Sequence, residues 1–184
     1  LILTKLFGYK DIRNIGSGNI GATNVLRTGN KILALLTLLL DALKGFTPVY
    51  ICQQYFPDQI YLSSLLAFLG HIFPIWLKFK GGKGVATYLG ALFALSYGLG
   101  FLFIFTWVVI VLIFKYSSIS SLFSTLTVFA ITIFRENVVM TIDPNFIYEG
   151  NLKLILFIFF ILIIFTHRKN ISNLKNKTEQ KIKI

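Results

Sequence analysis

Apolar residues run along this chain in long uncharged stretches broken by short polar segments. The pattern has neither the alternation of a half-buried strand nor the single apolar stripe of a helix lying on a soluble core. Such runs are helices apolar on all sides, and a bilayer core about 30 Å thick takes roughly 20 of these residues to cross. Residues 32–51 have that length. Residues 61–76, 118–134 and 152–166 are further candidate spans, the last one short and reliant on its flanks. The uncharged run 85–114 is bounded by Lys83 and Lys115. If both basic flanks lie on one side of the membrane, the run crosses twice, turning at Ser96-Tyr97-Gly98-Leu99-Gly100, where two glycines weaken a helix. Six crossings result, and residues 1–7 read as the end of a truncated first helix, so the amino-terminal helix is expected to be incomplete.

Composition agrees with this reading. The 184 residues are 55% hydrophobic and only 14% charged, with a mean hydropathy of +0.75. That is too apolar for a soluble domain of this size, so residues 1–184 are expected to form one integral membrane domain, all-α and polytopic. The net charge of +11 raises the question of nucleic acid, but the cations sit in short segments between apolar runs. They mark inner loops beside anionic lipid, and no nucleic-acid partner is expected. On this topology the inner segments carry Lys5, Lys10, Arg13, Arg27, Lys31, Lys78, Lys80, Lys83, Lys115, Arg168, Lys169, Lys175, Lys177, Lys181 and Lys183. The outer ones carry Arg135 and Lys153, with Asp58, Glu136, Asp143 and Glu149. Cys52 is the single cysteine, so an internal disulfide is excluded. No His/Cys/Asp/Glu grouping has ligand spacing; neither a metal nor a cofactor is expected.

The inner segments carry the candidate chemistry. Residues 15–27 read I-G-S-G-N-I-G-A-T-N-V-L-R. Glycines there let backbone N–H groups approach an oxyanion, Ser17, Asn19, Thr23 and Asn24 can donate hydrogen bonds, and Arg27 supplies a countercharge. Residues 70–87 read G-H-I-F-P-I-W-L-K-F-K-G-G-K-G-V-A-T. Here Gly81, Gly82 and Gly84 with Lys80 and Lys83 precede a helix whose dipole favours an anion, although the spacing is not that of a Walker A loop. Residues 166–179 follow the last span, and on a continuing helix His167 and Asn170 share a face. Asp41 and Lys44, three apart within a span, are either an ion pair with Lys44 snorkelling or a functional pair. The serines of residues 115–121 open the next span, where helix capping accounts for most of them and one can reach a ligand.

Taken in order, these segments resemble the bacterial acyl-phosphate-dependent glycerol-3-phosphate acyltransferase family. The resemblance rests on G-S-G-N-I-G-A-T-N-V-L-R at 16–27, on the glycine- and lysine-rich segment at 70–87, and on H-R-K-N-I at 167–171 with Glu179 beyond. Lys169 stands where the family usually has glutamate, and Trp76 where it has phenylalanine. The resemblance implies seven transmembrane helices, six of them visible here, in a bacterial inner membrane with the active site on the cytoplasmic face.

It also implies transfer of a fatty acyl group from acyl phosphate to the 1-hydroxyl of glycerol 3-phosphate, giving 1-acylglycerol 3-phosphate and phosphate. Ser17, Arg27, Lys83, His167 and Asn170 would be catalytic. Asn19, Lys80, Gly81, Gly82, Gly84 and Arg168 would hold substrate phosphate, with Asn24, His71, Ser118 and Glu179 as further candidates. The partners are then the two phosphate-bearing substrates and membrane lipid. The proton from the attacking hydroxyl goes either to His167 or to the phosphate of the donor. A small transporter or flippase for phosphate or a phospholipid precursor would also show basic inner loops and an intramembrane Asp41.

Overall fold

The computed structural model describes residues 1–134, 141 and 151–182. Arg135, Glu136, Asp143, Glu149 and Lys183 therefore lie outside the described residues. Every regular element described is helical: α1 (Ile2–Leu6), α2 (Ala22–Leu26), α3 (Lys31–Tyr55), α4 (Ile60–Ile72), α5 (Val85–Leu95), α6 (Tyr97–Phe114), α7 (Ser117–Phe134), α8 (Asn151–Thr166) and α9 (Arg168–Lys175). Helices α3, α6 and α7, together with α4 and the turn that extends it to Leu77, are long and apolar enough to cross a bilayer. Large apolar side chains such as Leu39, Phe105, Leu112 and Leu154 face outward, as they do where the solvent is lipid.

The run 85–114 breaks into two helices. Ser96 makes the break: its side chain accepts the N–H of Leu99 at 3.4 Å and caps α6. Gly98 and Gly100 fall within α6, beyond the break. Helix α5 has only 11 residues, about 16 Å of helix, and it sits at the centre of the bundle, packed on α3, α4 and α6. Tyr88 of α5 is fully buried, with its ring 5.1 Å from that of Phe159 on α8 and 5.6 Å from that of Phe103 on α6. Phe68 of α4 closes the same cluster, edge-on to Phe159 at 5.1 Å.

The contact of α3 with α5 depends on two glycines. A Cβ on Gly45 would run into the carbonyl of Thr87, and one on Gly90 into the carbonyl of Ala42. Backbones that approach so closely tolerate no side chain between them, the small-residue packing that membrane helices use in place of a hydrophobic driving force. Residues 31–41 of α3 precede its contact with the start of α5 at Gly45, and with residues of α6 and α7 they line a hollow, the bowl of the site, together with the amino-terminal end of α5.

The basic segments gather around that bowl. Thr23 and Ser117 share a hydroxyl contact at 3.2 Å, Arg27 reaches the carbonyl of Gln180 at 3.4 Å, and the hydroxyl of Thr166 donates to the carbonyl of Lys83 at 3.1 Å. The carboxyl-terminal segment folds back, so that the N–H of Ile182 donates to the carbonyl of Lys115 at 2.8 Å and Lys181 lies over the ring of Tyr116. One expectation needs correcting: the last span does not continue through His167. It bends by 55° between α8 and α9, and His167 occupies the corner.

Candidate active site

The first polar segment folds into a cap held by a small apolar plug. Ile12, Val25 and Leu33 are buried together, with Tyr9, Ile20 and Leu26 against them. At its centre Asn24, 1% exposed, uses its whole amide. Nδ2 donates to the carbonyls of Ile12 at 2.8 Å and Asn19 at 2.7 Å. Oδ1 accepts from the backbone N–H of Ser17 at 3.0 Å, its hydroxyl at 3.4 Å, and Nη1 of Arg27 at 3.3 Å. Gly16 makes this packing possible: it has φ +56, and a Cβ there would strike Asn24 Oδ1 and the Arg27 side chain. Asn24 thus orders Ser17 and Arg27 and has no hydrogen-bonding capacity left for a ligand.

The second segment crosses from α4 to α5. Its Gly81 N–H donates to the carbonyl of Ile72 at 3.0 Å and its Gly82 N–H to the carbonyl of His71 at 3.3 Å. These two donors are consumed within the protein, which corrects the expectation that they stand bare for an anion. Gly84 leads into α5, and Lys83 beside it faces the bowl. Burial lowers the Lys83 ammonium from its ordinary value to about 8; the nearby Glu179 carboxylate works the other way, while Arg27 and Lys169 add to the lowering.

The third segment places His167 just past the end of α8, 1% exposed. Its Nδ1 lies 2.8 Å from the carbonyl of Ile163. A carbonyl only accepts, so Nδ1 carries the hydrogen and Nε2 is the free acceptor of the neutral ring. Burial, and then the charge of Lys83, lower this imidazole to about 4, against a smaller opposing effect of the Ile163 carbonyl. Asn170, on the first turn of α9, donates to Glu179 Oε1 at 2.6 Å. Ser118 donates to the same oxygen at 2.9 Å, and Asn173 to Oε2 at 3.3 Å. Glu179 therefore fastens the returning tail to α7 and α9. Four other hydroxyls of α7 do not cap it: Ser120, Ser121, Ser124 and Thr125 donate back to carbonyls one turn earlier.

These parts surround a cavity of about 470 Å³. Ser17, Asn19, Arg27, Lys83, Gly84, His167, Asn170, Ser118 and Glu179 line its polar end, with His71 and Asp41 lower down. Leu35 and Leu38 of α3, Leu89 of α5, and Phe103, Ile104 and Trp107 of α6 line an apolar arm. Leu35, Leu38 and Ile104 are exposed as well as lining the cavity, so the arm is not closed off by protein. Arg27 is half-buried, and burial lowers its guanidinium, which Glu179 opposes.

Four expected phosphate contacts are not brought to this cavity. Lys80 is exposed, Gly81 and Gly82 do not line the cavity, and Arg168 is exposed with its guanidinium over the ring of Phe165 at 4.4 Å. Lys169 and Trp76, the two departures from the family pattern, are exposed as well. Lys31 and the apolar arm join the cavity from segments that carry no motif of their own, while Thr23 comes from the first motif and Asp41 from the intramembrane pair with Lys44.

Comparison with known proteins agrees with this architecture. A family model described as glycerol-3-phosphate acyltransferase matches residues 1–177. A protein of Pelagibacter ubique (strain HTCC1062) called glycerol-3-phosphate acyltransferase is 54% identical over 183 residues, covering 100% of this chain and 89% of its own. One from Wolbachia pipientis subsp. Culex pipiens (strain wPip), of the same name, is 47% identical over 98% of this chain and 89% of its own. Among solved structures, PlsY (YgiH), an integral membrane glycerol 3-phosphate acyltransferase, superposes in its glycerol 3-phosphate form with a TM-score of 0.87. It is 35% identical, covering 99% of this chain and 86% of that one. Its lysophosphatidic acid form gives a TM-score of 0.84 at 34% identity, over 98% and 85% of the two chains.

Proposed function

The chain belongs to the glycerol-3-phosphate acyltransferase family, and on that premise we propose that it moves a fatty acyl group from acyl phosphate to the 1-hydroxyl of glycerol 3-phosphate, at the cytoplasmic face of a bacterial inner membrane. It is an integral membrane acyltransferase; the donor, the residues and the face are our reading. The observation that carries it is one cavity with two unlike ends, cationic above and apolar along α3 and α6. An acyl phosphate has that polarity.

Two phosphate groups brought together repel, and the site must offset this and their desolvation. Arg27 offers a planar fork suited to a phosphate, and Lys83 offers a point charge at the amino-terminal end of α5, where the helix dipole adds to it. Gly84 turns the chain into α5 at φ +83, with the Phe68 ring in the space a side chain would take, and Asn19 and Ser118 also line the polar end. The acyl chain would lie along Leu35, Leu38, Ile104 and Trp107.

Attack by the glycerol hydroxyl forms a new C–O bond to the acyl carbon and breaks the bond from that carbon to the phosphate oxygen. His167, neutral at physiological pH, accepts a hydrogen bond at Nε2 and aligns the hydroxyl. A group held near 4 is a poor final sink for its proton, which passes to the departing phosphate. Ser17 Oγ and the second amide hydrogen of Asn170 would stabilise the oxyanion of the tetrahedral intermediate.

The test is acyl transfer to labelled glycerol 3-phosphate by purified protein in detergent, with palmitoyl phosphate, palmitoyl-CoA and palmitoyl acyl carrier protein offered separately. Product from palmitoyl phosphate alone is expected. Product from a thioester and none from the phosphate would overturn the donor assignment.

A further inference from the structure

We infer that Asp41 and His71 act as a pair that positions Lys83 for the acceptor's phosphate, an inference that rests on the phosphate-binding role proposed above for Lys83. The mechanism uses neither residue, yet both are buried side chains lining the cavity: Asp41 is 10% and His71 7% exposed at the side chain. A carboxylate within a membrane-spanning helix is costly and is normally paired or functional. Asp41 is paired with Lys44, whose Nζ lies 2.8 Å from Oδ1. That ion pair alone would not require His71, whose Nδ1 lies 3.8 Å from the same oxygen.

The far edge of the imidazole faces the Lys83 loop. A Cβ built on Gly82 would overlap His71 Nε2 and stand 3.2 Å from both Cδ2 and Cε1, so the ring fills the space a side chain would need. The backbone is joined at the same place, because the Gly82 N–H donates to the His71 carbonyl at 3.3 Å and the Gly81 N–H to that of Ile72 at 3.0 Å. On its other side Lys83 is held by the Thr166 hydroxyl on its carbonyl. Lys83 is thus set between two fixed points, one being the His71 ring. The Asp41 carboxylate 3.8 Å from Nδ1 favours the tautomer that carries its hydrogen there, while the Gly82 backbone packed against Nε2 limits the ring's orientation.

The test is steady-state kinetics of the purified full chain, varying glycerol 3-phosphate at saturating palmitoyl phosphate and then the reverse. Asp41→Asn and His71→Asn are each expected to raise KM for glycerol 3-phosphate about tenfold while leaving KM for the donor within about twofold, and the double variant should be no worse than either single one. Gly82→Ala should be severely impaired, and His71→Ala in the same chain should restore part of the loss by vacating the ring's space. A role confined to folding would instead lower the yield of active enzyme with both KM values unchanged, and Asp41→Asn, nearly isosteric, keeps the test open if a His71 variant folds poorly. An unchanged KM for glycerol 3-phosphate in both single variants, while Lys83→Ala raises it, would overturn the inference. If Lys83→Ala itself leaves that KM unchanged, the phosphate reading fails and this inference with it, so the Lys83 arm tells the two failures apart.

Discussion

Asn24 Oδ1 lies 3.0 Å from the backbone nitrogen of Ser17 and is the acceptor that closes the first loop on itself. The same side chain donates to the carbonyls of Ile12 and Asn19. Replacing it by alanine leaves buried backbone groups unpaired, at a cost of about 1–3 kcal/mol for each. Asn24→Ala is expected to lower the melting temperature and to cut turnover about a hundredfold by releasing Ser17 and Arg27. Thermal melts and initial rates of the purified variant check this; wild-type turnover in Asn24→Ala would show that the loop needs no such anchor.

Lys83, lowered to about 8, is a cation below that pH and loses the charge above it, and with the charge the phosphate-binding role proposed for it. KM for glycerol 3-phosphate should therefore rise as pH passes upward through about 8. Glu179 raises the value of Lys83, so Glu179→Gln should move this limb to lower pH, and Lys83→Arg should remove it from the measurable range. A pH profile of kcat/KM in the three proteins is the measurement.

His167 behaves oppositely in the acid range. Its folded value near 4 lies below the ordinary value of 6.5, so the unfolded chain binds more protons between those limits. Its contribution to stability is present above about 6.5 and is lost as pH falls toward 4. Melting curves from pH 7 to 4 should show the decline, and His167→Gln should flatten it. An identical acid slope in the variant would assign the decline to other groups.

Arg168 and Lys80 make the contrasting case. Both carry the charge expected of a phosphate ligand, and both are exposed away from the cavity. Arg168→Ala and Lys80→Ala should each keep kcat/KM within about threefold of wild type, whereas Arg27→Ala should lose at least about a hundredfold.

Gly45 tests the scaffold beneath the site. Its missing Cβ is the space through which the Thr87 carbonyl approaches. Gly45→Ala must push α3 from α5, with an overpacking cost of about 1–3 kcal/mol, and Gly45→Leu should prevent folding. Melting temperature and size-exclusion behaviour in detergent report both.

The uncharged runs, the break near Ser96, the basic segments and the three motifs are local patterns, and they were enough to specify a helical membrane protein, its family and the stretches that form the cavity. Each is written in consecutive residues, because a lipid-facing helix must be apolar all round and a turn needs its own capping groups. The partners of individual side chains are not written that way. Asn24 looks in sequence like a ligand donor but is spent on Ile12 and Asn19, and Gly81 and Gly82 look like an anion nest but donate to His71 and Ile72. Glu179 meets Ser118, 61 residues away in sequence, only because the tail folds back onto the start of α7, and Asp41 meets His71 only because α3 and α4 pack side by side. Those pairings are set by how closely α3 and α5 cross at Gly45 and Gly90 and by the 55° bend at His167. They are distances between segments far apart in the chain, and only the packed helices determine them.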